Sequence, residues 1–265
     1  MSVIKIKLSD VRKLDMINTK GMTGNKVSNQ YNPDCLINLA LYDMATKLNI
    51  VHMEDENTQS GYLFAENGIG IEGENKIIWI TKEVAYNNKN IRDFVAGAPT
   101  LVIDEKINIS WGNKKSNQIQ GLHNRSAIGF NDEYLILYTS DDSINLYTLA
   151  SRMLVYGCKY AINCDGGGSS YLQNQGKVLK YSYRNNASWF LVYLKKKEEF
   201  EVYKYLNNSS KSKPVYETTE CKKKIGSLDP YETCDCLYEM PGYKVVLYNI
   251  TGKSIKKVGF IKEWI

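Results

Sequence analysis

One run of residues restricts this chain more than any other: Asp165-Gly-Gly-Gly-Ser-Ser170, directly after the apolar stretch 160–164. Three consecutive glycines are conformationally costly, so they indicate positive φ angles or a backbone that another group approaches closely. The apolar stretch predicts a buried strand, which would hold the first residue of the loop rigidly. We therefore expect a ligand site at this strand end, with Asp165 as its carboxylate. A tight connection without a ligand is the alternative.

The loop has the composition of an anion-binding segment. The N–H groups of Gly166, Gly167 and Gly168 are expected to face a ligand oxyanion, as backbone nests and helix N-termini do for phosphate. The hydroxyl groups of Ser169 and Ser170 would add further donors. The sequence therefore predicts that these five residues bind substrate.

The segment before the loop predicts a β-α-β unit. Residues 133–139 have the pattern of a strand, 140–143 supply a helix N-cap, and apolar residues recur at helical spacing up to Gly157. The two flanking strands should be parallel and joined by a right-handed crossover. Ligands usually bind at the carboxyl edge of such a sheet, which is where Asp165 lies.

Weaker patterns cover the rest of the first 194 residues. The polar stretch up to Asp34 is predicted to be a loop, and the apolar run 35–42 fits a buried strand or a short helix. Residues 171–194 are predicted to form a hairpin meander. Further strands are predicted at 2–8, 60–72, 76–84 and 98–106.

A charged run, Lys195-Lys-Lys-Glu-Glu199, predicts a boundary between a domain at 1–197 and a small β domain at 198–265. The second domain contains five short strand-like segments separated by turns. Its segments 224–228 and 257–261 resemble the first and last strands of bacterial SH3-like domains. We therefore expect a small SH3-like barrel, with a cell-wall or protein ligand as its partner.

Composition excludes several classes of protein. Of the 265 residues, 43% are hydrophobic and 24% charged, which is typical of a globular protein. The net charge of +5 is too small for the footprint of a duplex binder, so we expect no nucleic-acid partner. No apolar run approaches the roughly 18 residues of a membrane span, and the first residues do not form a signal peptide. A cytoplasmic protein without a membrane partner is expected.

The six cysteines do not follow a disulfide framework, so reduced thiols are expected. Cys221, Cys234 and Cys236 lack a fourth ligand at structural spacing, and we predict no metal site there. No cofactor is predicted elsewhere. The possibility of a divalent cation near Asp165 stays open, because Asn163 and Asp165 offer oxygen ligands.

The residues around the glycine loop resemble the phosphodiester glycosidase family. Residues 161–170 are similar to its "AlNlDGGGSS" signature, 98–104 to "P.Lv.dG", and 125–129 to "RtaiG". Residues 37–43 resemble a degraded "iNGgyFd", in which Leu39 and Ala40 replace two glycines. The resemblance covers about residues 30–194. It implies an α+β fold, a mixed β-sheet with flanking helices, and hydrolysis of glycosyl 1-phosphodiesters such as those of N-acetylglucosamine.

The resemblance also implies roles for single residues. Asp165 would be base or nucleophile, and Arg125 and Arg184 would grip the phosphodiester. His123 could protonate the departing phosphate, and Asn38 would bind substrate. The stereochemistry stays open, because no second carboxylate can be placed at a defined distance.

Two alternatives stay open from the sequence. One keeps the reaction class and changes the substrate to a sugar nucleotide or a nucleotide-derived signalling molecule. The other is a cell-wall or partner-binding protein in which the glycosidase-like domain is inactive. The loop at Asp165 favours an enzyme, and the altered residues after Asn38 favour the binding protein.

Overall fold

The computed structural model describes residues 1–41, 51–53, 56–58, 67–108, 110, 121–196, 202–249 and 256–263. The chain forms two compact units, Met1–Lys195 and Lys196–Ile265. The predicted domain boundary between residues 197 and 198 lies outside the described residues. None of the helices in the described ranges is long and apolar enough to cross a membrane.

The first unit is built mainly from strands. Its strands are β1 (Ser2–Lys7), β2 (Val11–Met22), β3 (Cys35–Asn38), β4 (Val51–Met53), β5 (Glu56–Thr58), β6 (Asn67–Glu72), β7 (Lys76–Thr81), β8 (Ile91–Ala96), β9 (Thr100–Ile103), β10 (Lys106–Ile107), β11 (Ser126–Phe130), β12 (Tyr134–Thr139), β13 (Tyr160–Asn163), β14 (Leu172–Asn174), β15 (Lys177–Lys180) and β16 (Asn186–Leu194). Its described helices are α1 (Gly24–Tyr31), α2 (Lys82–Asn87) and α3 (Leu146–Val155).

These strands form three sheets. Sheet A has the order β1-β12-β11-β13-β9-β10, sheet B the order β15-β14-β3-β16-β2, and sheet C the order β5-β4-β8-β6-β7. Every strand pair within the described part of the first unit is antiparallel. The predicted mixed sheet is therefore wrong. The strands β12 and β13 on either side of α3 do run parallel, but β11 lies between them and pairs with both.

Sheets A and B pack face to face over the main core. In β12, Leu135 and Leu137 face this core, while Ile136 and Tyr138 face α3 on the outer side of sheet A. The central strands of sheet B behave in the same way, with one face on the core and the other toward α1. Strands buried on both faces have continuous apolar sequences, which explains the run that begins at Cys35. Of the two predicted alternatives for the run 35–42, the strand is correct for Cys35–Asn38. Residue 42 lies outside the described residues.

The prediction of a loop up to Asp34 is wrong, because this stretch contains the long strand β2 and the helix α1. β2 pairs along its length with β16, and Val11, Leu14 and Met16 are buried in the core. Charged and amide side chains separate these apolar residues, so the stretch lacks a continuous apolar run. Pairing with a strand more than 160 residues away, rather than local propensity, determines its structure.

Helix α3 forms at the predicted place but begins later than predicted. Its N-cap is Asn145, whose side chain accepts from the Thr148 N–H at 2.8 Å, rather than a residue of 140–143. Gly157 follows its C-cap with a φ of +86°, as expected of the residue that ends a helix.

The second unit is a six-stranded antiparallel sheet of order β17-β20-β21-β22-β18-β19. Its strands are β17 (Tyr203–Leu206), β18 (Lys213–Tyr216), β19 (Lys224–Leu228), β20 (Thr233–Met240), β21 (Tyr243–Asn249) and β22 (Lys256–Lys262). The five predicted strands are present, and β17 is an additional one. The described strands do not close on one another, so an SH3-like barrel is not confirmed.

Candidate active site

The glycine loop connects the two packed sheets at one end of the sandwich. The chain leaves β13 of sheet A after Asn163, passes through residues 165–170, and enters β14 of sheet B at Leu172. Asn38 ends β3 at the same end, and the Asp165 N–H donates to the Leu39 carbonyl at 2.8 Å. The loop therefore lies where the ends of central strands from both sheets meet.

Each glycine in the loop has its own physical reason. A Cβ on Gly166 would lie 2.5 Å from the Asn124 carbonyl oxygen, and Gly167 has a φ of +59°. A Cβ on Gly168 would lie 2.7 Å from Nε of Arg184, whose guanidinium group packs over this position. Close approach and a left-handed backbone together explain the three consecutive glycines.

The backbone N–H groups of the loop are largely used within the protein. Gly166 N–H donates to Asp165 Oδ1 at 3.0 Å, and Gly167 N–H donates to the Asn124 carbonyl at 2.7 Å. The N–H groups of Ser169 and Ser170 donate to carbonyls of the same loop. These four donors hold the loop together and are not directed at a ligand. The prediction of anion binding at the loop therefore depends on the side chains beside it.

Asn38 supports the loop from the interior. It is fully buried, and its amide donates to the Asp165 carbonyl at 2.6 Å. Its Oδ1 accepts from the Ser126 hydroxyl and from the Tyr171 N–H, both at 2.9 Å. The structure thus gives Asn38 a positioning role through both sheets, while its contact with substrate stays a prediction.

The carboxyl group of Asp165 lies in a partly buried position among donors. Burial raises its pKa above the usual range, while the Ser169 hydroxyl, the Gly166 N–H and the charge of Arg184 act in the opposite direction. A carboxylate with this balance of effects can gain and lose a proton closer to neutral pH than an exposed one. These are the properties of a candidate acid-base group.

Arg184 is the cation that acts on this carboxyl group. Its side chain donates from Nη1 to Ser169 Oγ at 3.4 Å, and the same hydroxyl bonds Asp165. Its backbone is fixed by the buried Ser182, whose hydroxyl accepts from the Arg184 N–H at 3.1 Å and donates to the Gly168 carbonyl at 2.6 Å. Arg184 itself is exposed, so its guanidinium group is accessible to a ligand.

Arg125 and His123 lie beside the loop on the segment that leads into β11. Arg125 is only 4% exposed, and its guanidinium group donates to the carbonyls of Gly121 at 2.7 Å and Ile144 at 3.2 Å. Burial lowers its pKa to about 10. His123 forms an isolated β-bridge with Ile144. Arg125 thus fastens the segment that carries His123, and the ligand-binding roles of both stay predictions.

Two buried oxygen atoms near Asp165 have no hydrogen-bond partner in the described part of the chain: Asn163 Oδ1 and Ser170 Oγ. Each can accept a bond from an enclosed water. Within the described ranges there is no cluster of three or more His, Cys, Asp or Glu residues that could hold a metal ion. The candidate cation near Asp165 stays a prediction.

Sequence reasoning missed the supporting residues Ser126, Ser182 and Asn186. The Asn186 amide donates to the Ser169 carbonyl at 2.9 Å, and the other two bond Asn38 and Gly168. Each is a single buried polar residue. Only burial next to the loop distinguishes them, and the sequence does not display it.

The family model described as phosphodiester glycosidase (NAGPA) matches residues 43–194, which is more than half of the chain. The chain therefore belongs to the phosphodiester glycosidase family. No curated protein matches the sequence significantly.

Solved structures share the fold at low sequence identity. The catalytic domain of zebrafish N-acetylglucosamine-1-phosphodiester alpha-N-acetylglucosaminidase, auto-inhibited by its pro-peptide, matches with a TM-score of 0.59 and 14% identity over 72% of this chain and 82% of that one. A hypothetical protein from Synechocystis matches with a TM-score of 0.52 and 12% identity over 73% of this chain. This chain covers 59% of the Synechocystis protein.

Proposed function

We propose that the protein hydrolyses a glycosyl 1-phosphodiester at the anomeric carbon. The observation that carries this proposal is the linked set Asp165, Ser169 and Arg184, in which one hydroxyl bonds both a buried carboxyl group and an exposed guanidinium group. A phosphodiester next to an anomeric carbon needs such a pair. The cation binds the permanent negative charge, and the carboxylate acts one bond away on the reacting carbon.

The reaction proceeds by attack of water on C1 of the sugar. The ionised Asp165 accepts a proton from the water, whose oxygen forms the new bond to C1. The bond between C1 and the phosphate oxygen breaks, and the phosphate monoester leaves with the electron pair. Phosphate is a good leaving group, so the step needs less general-acid assistance than an ordinary glycoside does.

Arg184 stabilises the charge that develops on the departing phosphate. Its guanidinium group offers several N–H donors in one plane and matches two phosphate oxygens. Arg125 holds the segment that carries His123. We assign to His123 the donation of a proton to the departing phosphate.

The proposal is tested with a panel of substrates and water labelled with ¹⁸O. Purified protein is incubated with N-acetylglucosamine 1-phosphate diesters and with sugar nucleotides, and the products are analysed by mass spectrometry. Label in the sugar indicates cleavage at C1, as proposed. Label only in the phosphate, or no turnover of any sugar phosphate, would contradict the proposal.

The variant Asp165→Asn should lose at least about a hundredfold in kcat, the typical effect of removing a positioned acid-base group. Asp132→Asn is the matched control. Asp132 lies in the turn between β11 and β12, at the other end of sheet A, and its side chain is 93% exposed. Equal activity of the two variants would remove Asp165 from the mechanism.

A further inference from the structure

Two exposed tyrosine rings lie next to the candidate site in the segment that joins β15 to β16. Tyr181 is 45% exposed and Tyr183 is 86% exposed. Their ring centroids are 4.6 Å apart with an interplanar angle of 80°, an edge-to-face arrangement that forms an open corner. Two adjacent aromatic rings exposed to this extent indicate a surface with a function.

The position of this tyrosine pair is fixed by its neighbours. Ser182, between the two rings, is buried and bonds the Gly168 carbonyl, so the side chains on either side of it face outward. The centroid of the Tyr181 ring lies 6.4 Å from the centroid of the Tyr171 ring. Tyr171 is fully buried and packs against Trp189. Because little conformational freedom is left to Tyr181, a ligand would bind a surface that is already formed.

The pair also occupies a defined place relative to the groups proposed to act in hydrolysis. Tyr183 directly precedes Arg184, and Arg184 is linked through Ser169 to Asp165. Tyr183 is thus the chain neighbour of the proposed phosphate ligand. In a glycosyl phosphodiester the phosphate carries the esterified alcohol on the side away from the anomeric carbon.

Resting on the proposed function, we propose that Tyr181 and Tyr183 bind the leaving group of the phosphodiester, and that this leaving group carries a ring with an apolar face. Tyrosine rings bind such faces by stacking, with the hydroxyl group left for water or for a ligand hydroxyl. Hexoses and nucleobases both have this chemistry. A leaving group without a ring would leave the pair unused.

The experiment compares three substrates that share N-acetylglucosamine 1-phosphate and differ in the esterified alcohol. The alcohols are methanol, the 6-hydroxyl of a methyl hexoside, and the 5′-hydroxyl of uridine. The wild-type protein should show a lower KM for one or both ring-bearing substrates than for the methyl ester. Which of the two is preferred identifies the ring as sugar or base.

The variants Tyr181→Ala and Tyr183→Ala should raise the KM of the preferred substrate about 3- to 12-fold and leave the methyl ester unchanged. Tyr183→Phe keeps the ring and should behave like wild type. Equal KM values for all three substrates in the wild-type protein would overturn the proposal while hydrolysis itself stands.

A binding measurement separates this proposal from the proposed function. Hexose 6-phosphate and uridine monophosphate are titrated into wild type, Tyr183→Ala and Tyr183→Phe by calorimetry. If no substrate is hydrolysed but one of these ligands binds wild type and Tyr183→Phe more tightly than Tyr183→Ala, the proposed function fails and the tyrosine site stands. Equal affinity for all three proteins, or no binding, overturns the tyrosine site.

Discussion

The variant Gly168→Ala tests the link between Arg184 and Asp165 without removing either residue. A methyl group at this position would lie 2.7 Å from Arg184 Nε and 3.0 Å from Cζ. These atoms are at the end of a flexible side chain, and the φ of Gly168 is outside the left-handed region. The guanidinium group should therefore move away, while the backbone accepts alanine without strain.

The expected effects differ sharply between stability and activity. The free energy of unfolding should stay within about 0.5 kcal/mol of wild type, as for most surface substitutions. A misplaced guanidinium group should lose one charge-assisted interaction with phosphate, about 1.5 to 3 kcal/mol, which is about 10- to 150-fold in kcat/KM. The pKa of Asp165 should rise, because the cation that lowers it has moved away.

The assay combines kcat/KM on a glycosyl phosphodiester, chemical denaturation, and an NMR titration of the Asp165 carboxyl carbon. Gly176→Ala is the control, since Gly176 lies in the β14–β15 turn with a φ of +76°, and a Cβ added there would meet no atom within 4 Å. It should lose about 1 kcal/mol of stability and no activity. Gly168→Ala with wild-type kcat/KM and an unmoved Asp165 pKa would refute the reasoning.

Four further predictions follow from the contacts of the site. Because burial raises the pKa of Asp165, kcat/KM should fall on the acid side at a pH above the usual aspartate range, and Arg184→Gln should move this fall to higher pH. A pKa of Asp165 that is higher in the folded than in the unfolded protein means that stability is lost as the pH rises through the folded-state pKa. Asp165→Asn removes this loss and should therefore raise the Tm at pH 7. Below about pH 3.9, where the carboxyl group is protonated in both states, the variant should not raise the Tm. Arg125→Lys should lower the unfolding free energy by about 1 to 3 kcal/mol, because two backbone carbonyls lose a guanidinium donor; an unchanged denaturation midpoint would contradict this. Asn38→Ala should cost about 2 to 4 kcal/mol in denaturation, because it leaves groups of both sheets without partners; a loss below about 1 kcal/mol would show that water replaces the amide.

The parts of the fold that were predicted correctly have strong local signals. The apolar spacing of α3 and the strand β13 are each visible within about ten residues. The signals for β2 and for the place of β11 between β12 and β13 are not local. Strand order depends on pairing between distant segments, and the segment 133–163 alone is compatible with a parallel unit. That is why the sequence predicts a mixed sheet where the structure has an antiparallel one.

The candidate site was predictable to the extent that it forms a motif. The glycine loop identified Asp165 and its neighbours, and the resemblance to a family added Arg184 and Asn38. The supporting residues Ser126, Ser182 and Asn186 have no motif, because any buried donor at the right place could serve. Their positions follow only from the meeting of sheets A and B at one end.

The two arginines at this end can be assigned different roles on physical grounds. Arg125 is buried, and burial lowers its pKa to about 10. Its bonds to two backbone carbonyls replace part of the hydration that the guanidinium group loses. Arg184 is exposed and acts electrostatically on Asp165. A phosphate that binds Arg184 keeps access to solvent and needs no rearrangement of the loop. A phosphate that binds Arg125 must compete with the backbone carbonyls that its guanidinium group already bonds. We therefore keep Arg184 as the proposed principal phosphate ligand, and we propose that Arg125 positions the His123 segment beside it.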